Sequence, residues 1–222
     1  MIADHVGTAD SVLWGVEQAE RELASGRTVI VLHDAGAAIV FPAASATPSA
    51  MSFAIRHSSG FVQVALAASQ CDRLLIPPAA EMYGRRAVST SSRQRVGVDA
   101  VEGIGTGISA ADRARTARVL ADSTSLMTDL TRPGHVIPVS VSSADSQEMS
   151  VAGTASSLVG SATGNCAAVF AEIILDVDPV DLPTRLDVVE FARIHGICTV
   201  DSADLGSPDR YRSSSVDRSY ST

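Results

Sequence analysis

Lysine is absent from this chain of 222 residues, and all 17 basic side chains are arginine. That excludes Schiff-base chemistry through a lysine and the phosphate-gripping lysine of a P-loop. No apolar run approaches the roughly 20 residues of a membrane span. Residues 1–20 show no basic stretch leading into an apolar one, so no secretory signal is expected and the simplest address is the cytoplasm. With 25 acidic residues the formal charge is −8, and no basic stripe offsets it. Nucleic acid is a poor partner for such a surface, because phosphate contacts supply most of that affinity. Cysteine is scarce: Cys71, Cys166 and Cys198 form no CxxC pair and match no zinc module. Cys166 and Cys198 sit in apolar strings and read as buried, reduced residues, whereas Cys71, beside charge in SQCDR, reads as more exposed.

What is present is a globular pattern, 45% hydrophobic, in which strand and helix signals alternate. Helices are expected over 9–25, from Pro48 to about His57, over 109–122 behind Ser109, more weakly around 153–162, and from Pro183 to His195. In the last of these Leu186, Val189 and Phe191 are expected to face inward. Short apolar strands are expected at 27–34, 39–41, 61–68, 135–143, 166–175 and 198–205, with a half-exposed strand over 84–98. The first two strands, joined by a tight turn at 35–38, read as a hairpin. The expectation is therefore one α/β domain over 1–205, a mixed sheet flanked by helices, followed by a polar, disordered tail over 206–222.

Several strings stand out in order: IRHSSGFVQVAL at 55–66, GIGTGISAADRARTAR at 103–118, LTRPGHVIPV at 130–139, a carboxylate in AEI at Glu172, and EFARIHGICTVDSADL at 190–205. Together they resemble 3,4-dihydroxy-2-butanone 4-phosphate synthase, which makes the four-carbon precursor of riboflavin. The resemblance covers about residues 10–205 and is carried most specifically by TGISAADR and TRPGHV. It implies a single α/β domain, a homodimer with sites near the subunit interface, and ribulose 5-phosphate and magnesium as ligands. It implies enolisation, a skeletal shift and release of formate, with the metal stabilising enediolate charge.

The chain also departs from that family. The family's acidic loop, of the type DDEDRENEGD, is here LHDAGAAIVF (32–41), shorter and with one carboxylate, Asp34; His33 stands where the family has an acid. The family's GHTEA, whose histidine is a metal ligand, is matched by VAGTASSLVG (151–160), which keeps only Thr154, and no histidine lies between His135 and His195. The arginine preceding that motif is replaced within SQEMS. Adjacent residues on a strand face opposite ways, so His33 and Asp34 do not make a ligand pair; neither a metal nor another cofactor is expected.

The residues left for chemistry are His135 and Glu172 as acid–base groups, with Glu172 expected to be buried and its pKa thereby raised. Thr106, Arg132, Thr154, His33 and Asp34 are candidates for binding substrate. Each has a structural alternative: a hydrogen-bonded turn residue for His135, an arginine-paired carboxylate for Glu172, a turn-shaping role for Arg132. Asp112 and Arg113 read as supports of the helix start, and His5, His57 and His195 as structural or surface residues. Three functions follow as expectations. The first is a repurposed, metal-free isomerase, dehydratase or cyclase on a neutral, rather apolar small molecule, as in natural-product biosynthesis. The second is a non-catalytic homologue with a binding or regulatory role. The third is a genuine synthase of riboflavin biosynthesis.

Overall fold

The computed structural model describes residues 15–83, 93–142, 150–175 and 181–205. Residues 84–92 of the strand expected over 84–98, the residues before 15 with His5, and the tail over 206–222 lie outside the described residues. Seven strands form one mixed sheet, in the order β4-β5-β3-β6-β2-β1-β7. They are β1 (Val29–His33), β2 (Gly36–Pro42), β3 (Gln63–Ala67), β4 (Val98–Ala100), β5 (Leu130–Val141), β6 (Ala168–Glu172) and β7 (Cys198–Asp201). Only β1–β7 and β3–β5 pair in parallel; the other neighbours are antiparallel. The expected hairpin is present, but its turn is Asp34–Ala35, since His33 pairs with Gly36 and Ala37 already belongs to β2.

Alternation along the strands divides the core in two. Ile30, Leu32, Ile39, Phe41, Val64 and Val169 belong to one cluster, with Met51 of α2 (Pro48–Arg56), Leu120 of α4 (Ala110–Ala121) and Phe191 of α6 (Arg185–His195). Val29, Val31, Val40, Ala65 and Phe170 belong to the other, with Leu23 of α1 (Val16–Ala24) and Leu158 of α5 (Val151–Thr163). The remaining helix, α3 (Ala68–Arg73), follows β3 directly.

Side-chain caps set where the helices begin. Thr47, Ser109, Ser150 and Thr184 each accept a hydrogen bond from the third residue onward, which satisfies one orphan N–H of the first turn. Gly164 and Gly196 end α5 and α6 in the left-handed conformation that a Cβ would penalise.

Two expectations about burial are corrected. Cys71 is buried and Cys166 exposed, because Cys71 falls on the inward side of α3 while Cys166 lies in the connection after α5. In α6 the buried residues are Val188, Phe191 and Ala192, and Leu186 faces solvent. The helical phase is set by Phe191, whose ring packs with those of Phe53, His57 and His195 at centroid distances of 4.4–5.9 Å.

Candidate active site

The string RPGH is a bulge in the sheet. Val98 of β4 pairs with Val136 and the next residue, Asp99, with Thr131, so 132–135 loop out opposite a single peptide of β4. Gly134 crosses so near β4 that a Cβ there would stand 2.0 Å from the Val98 carbonyl carbon. The ladder bond lost at this point is replaced by a side chain. The Asp99 carboxylate accepts the His135 backbone N–H at 2.9 Å and faces the ring Nδ1 at 2.7 Å. An ionised carboxylate only accepts, so Nδ1 carries a proton and Nε2 is the free ring nitrogen. The Asp99 side chain is 8% exposed and that of His135 41%, a buried carboxylate behind an accessible imidazole.

The TGIS loop closes over this pair. Asp112, in the first turn of α4, accepts the backbone N–H groups of Gly105 at 3.2 Å and Gly107 at 3.0 Å. The Gly105 N–H, with that of Gly107, holds the Asp112 carboxyl below its ordinary value. Gly107, at φ +87°, lies where a Cβ would come 2.2 Å from Asp99 Oδ2 and 2.8 Å from His135 Nδ1. Thr106 is therefore fixed between two tethered glycines and is exposed. The loop's far end is tied down by buried Arg113, which donates to the carbonyls of Ile108 at 3.0 Å and Gly60 at 2.7 Å. Burial draws the Arg113 pKa down. Asp112 and Arg113 thus shape the loop instead of pairing with each other at the helix start.

A second pair stands at the same end of the sheet. Gln63 of β3 is opposite both Ile137 of β5 and Phe170 of β6, so His135 and Glu172, each two residues along, lie at one edge of the sheet. One strand separates them, about 10 Å at the backbone. They take different partners: Glu172 Oε2 lies 3.0 Å from His33 Nε2. Glu172 is not the buried carboxyl expected, because its side chain is 38% exposed at a strand end while that of His33 is 12% exposed.

The other expected residues fall as follows. The Arg132 guanidinium donates to the carbonyls of Leu130 at 3.1 Å, Met127 at 3.3 Å and Leu74, so it braces the bulge, and the residue also lines a groove on this side of the sheet. Thr154 is half-buried in the first turn of α5, and Asp34 is exposed at the hairpin tip. An apolar groove of about 590 Å³, lined by Phe61, Pro77, Val96, Pro133 and Ile137, runs beside the strand that carries His135.

A divalent cation of the hard type takes six or more oxygen ligands. Among the described residues no three His, Cys, Asp or Glu side chains come together. The two carboxylates nearest the site, Asp99 and Glu172, already face histidines. The described residues do not fit such an ion.

The sequence from 17 to 207 matches the model of the 3,4-dihydroxy-2-butanone 4-phosphate synthase family. The chain belongs to this family. The riboflavin biosynthesis protein RibBA of Nocardia farcinica is 36% identical over 197 residues, 86% of this chain and 46% of that protein. The RibBA protein of Rhodococcus jostii is 35% identical over 208 residues, 91% of this chain and 49% of that protein. The chain thus spans about half the length of the curated relatives it matches. Among solved structures, the Candida albicans synthase superposes with a TM-score of 0.77 at 29% identity, covering 88% of this chain and 97% of that one. A synthase solved in complex with two magnesium ions also gives 0.77, at 25% identity, covering 87% of this chain and 95% of that one.

These relatives correct the first functional expectation. A repurposed, metal-free enzyme for a neutral, apolar molecule is what the loss of the acidic loop at 32–41, of the GHTEA histidine and acid at 151–160, and of the arginine within SQEMS implies. Proteins 35–37% identical over most of the chain are named instead for riboflavin biosynthesis. The chain superposes on solved synthases over 87–88% of its length, with the departures included.

Proposed function

We propose that this chain is a cytoplasmic synthase of its family, converting ribulose 5-phosphate to 3,4-dihydroxy-2-butanone 4-phosphate and formate, and that it works as a homodimer. The observation that carries the reading is the Asp99–His135 pair beneath the TGIS loop, on a chain that matches the family from 17 to 207.

Enolisation begins with removal of a proton from carbon next to a ketone, which needs a base of fixed tautomer. His135 supplies one: with Nδ1–H committed to Asp99, the Nε2 lone pair faces the accessible side. Protons must then be returned and removed again during the skeletal shift and cleavage, and Glu172 at the same edge is the second group for that traffic. Thr106, held between the tethered glycines, donates a hydrogen bond to a substrate oxygen. Thr154 faces the same ligand from α5. Phe61 and Ile108, both about half exposed at this end, suit burial against a second copy.

Incubation with ribulose 5-phosphate and magnesium should release formate, measured by proton NMR. His135→Ala should lower the rate about 10²- to 10⁴-fold, the range lost with a general acid–base group. No formate from the wild-type protein would overturn the assignment.

A further inference from the structure

His33 and Glu172 are 139 residues apart in sequence and lie on strands that do not touch, because β2 runs between β1 and β6. Their side chains nevertheless meet at 3.0 Å. The bridge passes over Gly36. A Cβ at that position would stand 3.7 Å from His33 Cε1, 3.8 Å from Glu172 Oε2 and 3.5 Å from Leu182 Cδ1. The glycine leaves the space that the pair spans, and Leu182 roofs it. The two ends differ in exposure. The imidazole, 12% exposed, is the inner member, and the carboxylate, 38% exposed, is the outer one. Only one carboxylate oxygen, Oε2, is engaged with the ring.

We infer that His33 is a positioning residue that acts through Glu172. Its Nε2–H holds Oε2, turning the other oxygen, Oε1, toward the substrate. In the step this serves, Oε1 takes a proton from the substrate as an O–H bond forms, the electron pair of the broken bond stays on the substrate, and the same proton is returned later. His33 loses no proton in the exchange; it keeps the carboxylate in one rotamer through both charge states. The inference rests on the synthase reading for its kinetic test but not for its structural one.

Two substitutions separate a donor from a filler. His33→Gln places an amide N–H near the position of Nε2, and His33→Leu fills the space without a donor. With ribulose 5-phosphate, His33→Leu should lower kcat at least about tenfold, short of the 10²–10⁴ of losing a general acid–base group, with KM little changed. His33→Gln should recover most of kcat. Equal kcat in wild type and His33→Leu, or equal loss in both variants, would overturn the inference. A second measurement needs no turnover. Proton–nitrogen correlation of ¹⁵N-histidine protein should show the His33 Nε2–H as a resolved, slowly exchanging signal, held by the carboxylate oxygen 3.0 Å away, and Glu172→Ala should abolish it. If that signal is as expected and no formate forms, the synthase reading fails while the pairing stands. If formate forms and Glu172→Ala leaves the signal unchanged, the pairing fails alone.

Discussion

At the scale of the residue, the site depends on atoms that are missing as much as on those present. Gly107 lies against the Asp99–His135 contact with no room for a methyl group. Gly107→Ala should push the carboxylate off the ring, cost about 2 kcal/mol or more in stability, and remove most formate release. Urea unfolding and the formate assay together check it. The thiols give an independent test of burial. Burial pushes both Cys71 and Cys198 up to about 11, whereas Cys166 is exposed. At about pH 8 a thiol of that pKa holds roughly two hundred times less thiolate than a free cysteine. A thiol-disulfide reagent should therefore modify Cys166 quickly in the native protein and the other two only after denaturation. Asp99 was the residue that sequence reasoning missed. Its signal was available, a single carboxylate inside the short strand run VDA, where an unpaired charge is costly. Nothing in the sequence, by contrast, announces that His33 reaches across Gly36 to Glu172, because strand order decides that contact.

At the scale of the element, the helices were legible and the strand edges less so. Ser109 and Thr184 mark their helix starts because a hydroxyl in that place satisfies a local N–H, and the contact spans only three residues. The β5 bulge is different: its four looped-out residues need a partner strand before they mean anything, so RPGH reads alone as a turn. The start of α4 also carries a pH dependence. Asp112 is held below its ordinary value first by the Gly105 N–H, and Asp187 by the Thr184 hydroxyl. A depressed carboxylate stabilises the fold fully above its unfolded pKa, near 3.9, and loses that contribution as pH falls through the lower folded value. Asp112→Asn should therefore flatten the acid limb of stability against pH. Thermal midpoints for both proteins, taken between about pH 6 and about pH 3, should converge toward the acid end.

At the scale of the whole molecule, one sheet carries two cores, and each helix layer shields a different one. Leu120 and Leu158 are fully buried on opposite faces. Leu120→Ala and Leu158→Ala should each cost about 2–5 kcal/mol and lower the same single calorimetric transition, since the strands between them belong to both cores. Separate transitions for the two variants would contradict a shared sheet. The family was readable because TGIS and RPGH, the strings that carry the resemblance, build one corner of this sheet. The lost anchors at 32–41, at 151–160 and within SQEMS point away from the synthase reaction, whereas relatives 35–36% identical over most of the chain point to it. The first hairpin turns on two residues, the shortest link two antiparallel strands allow. So brief a connection has no length to fold over the strand ends; among the described residues of this flank, the hairpin tip is a fixed sill and never a flap.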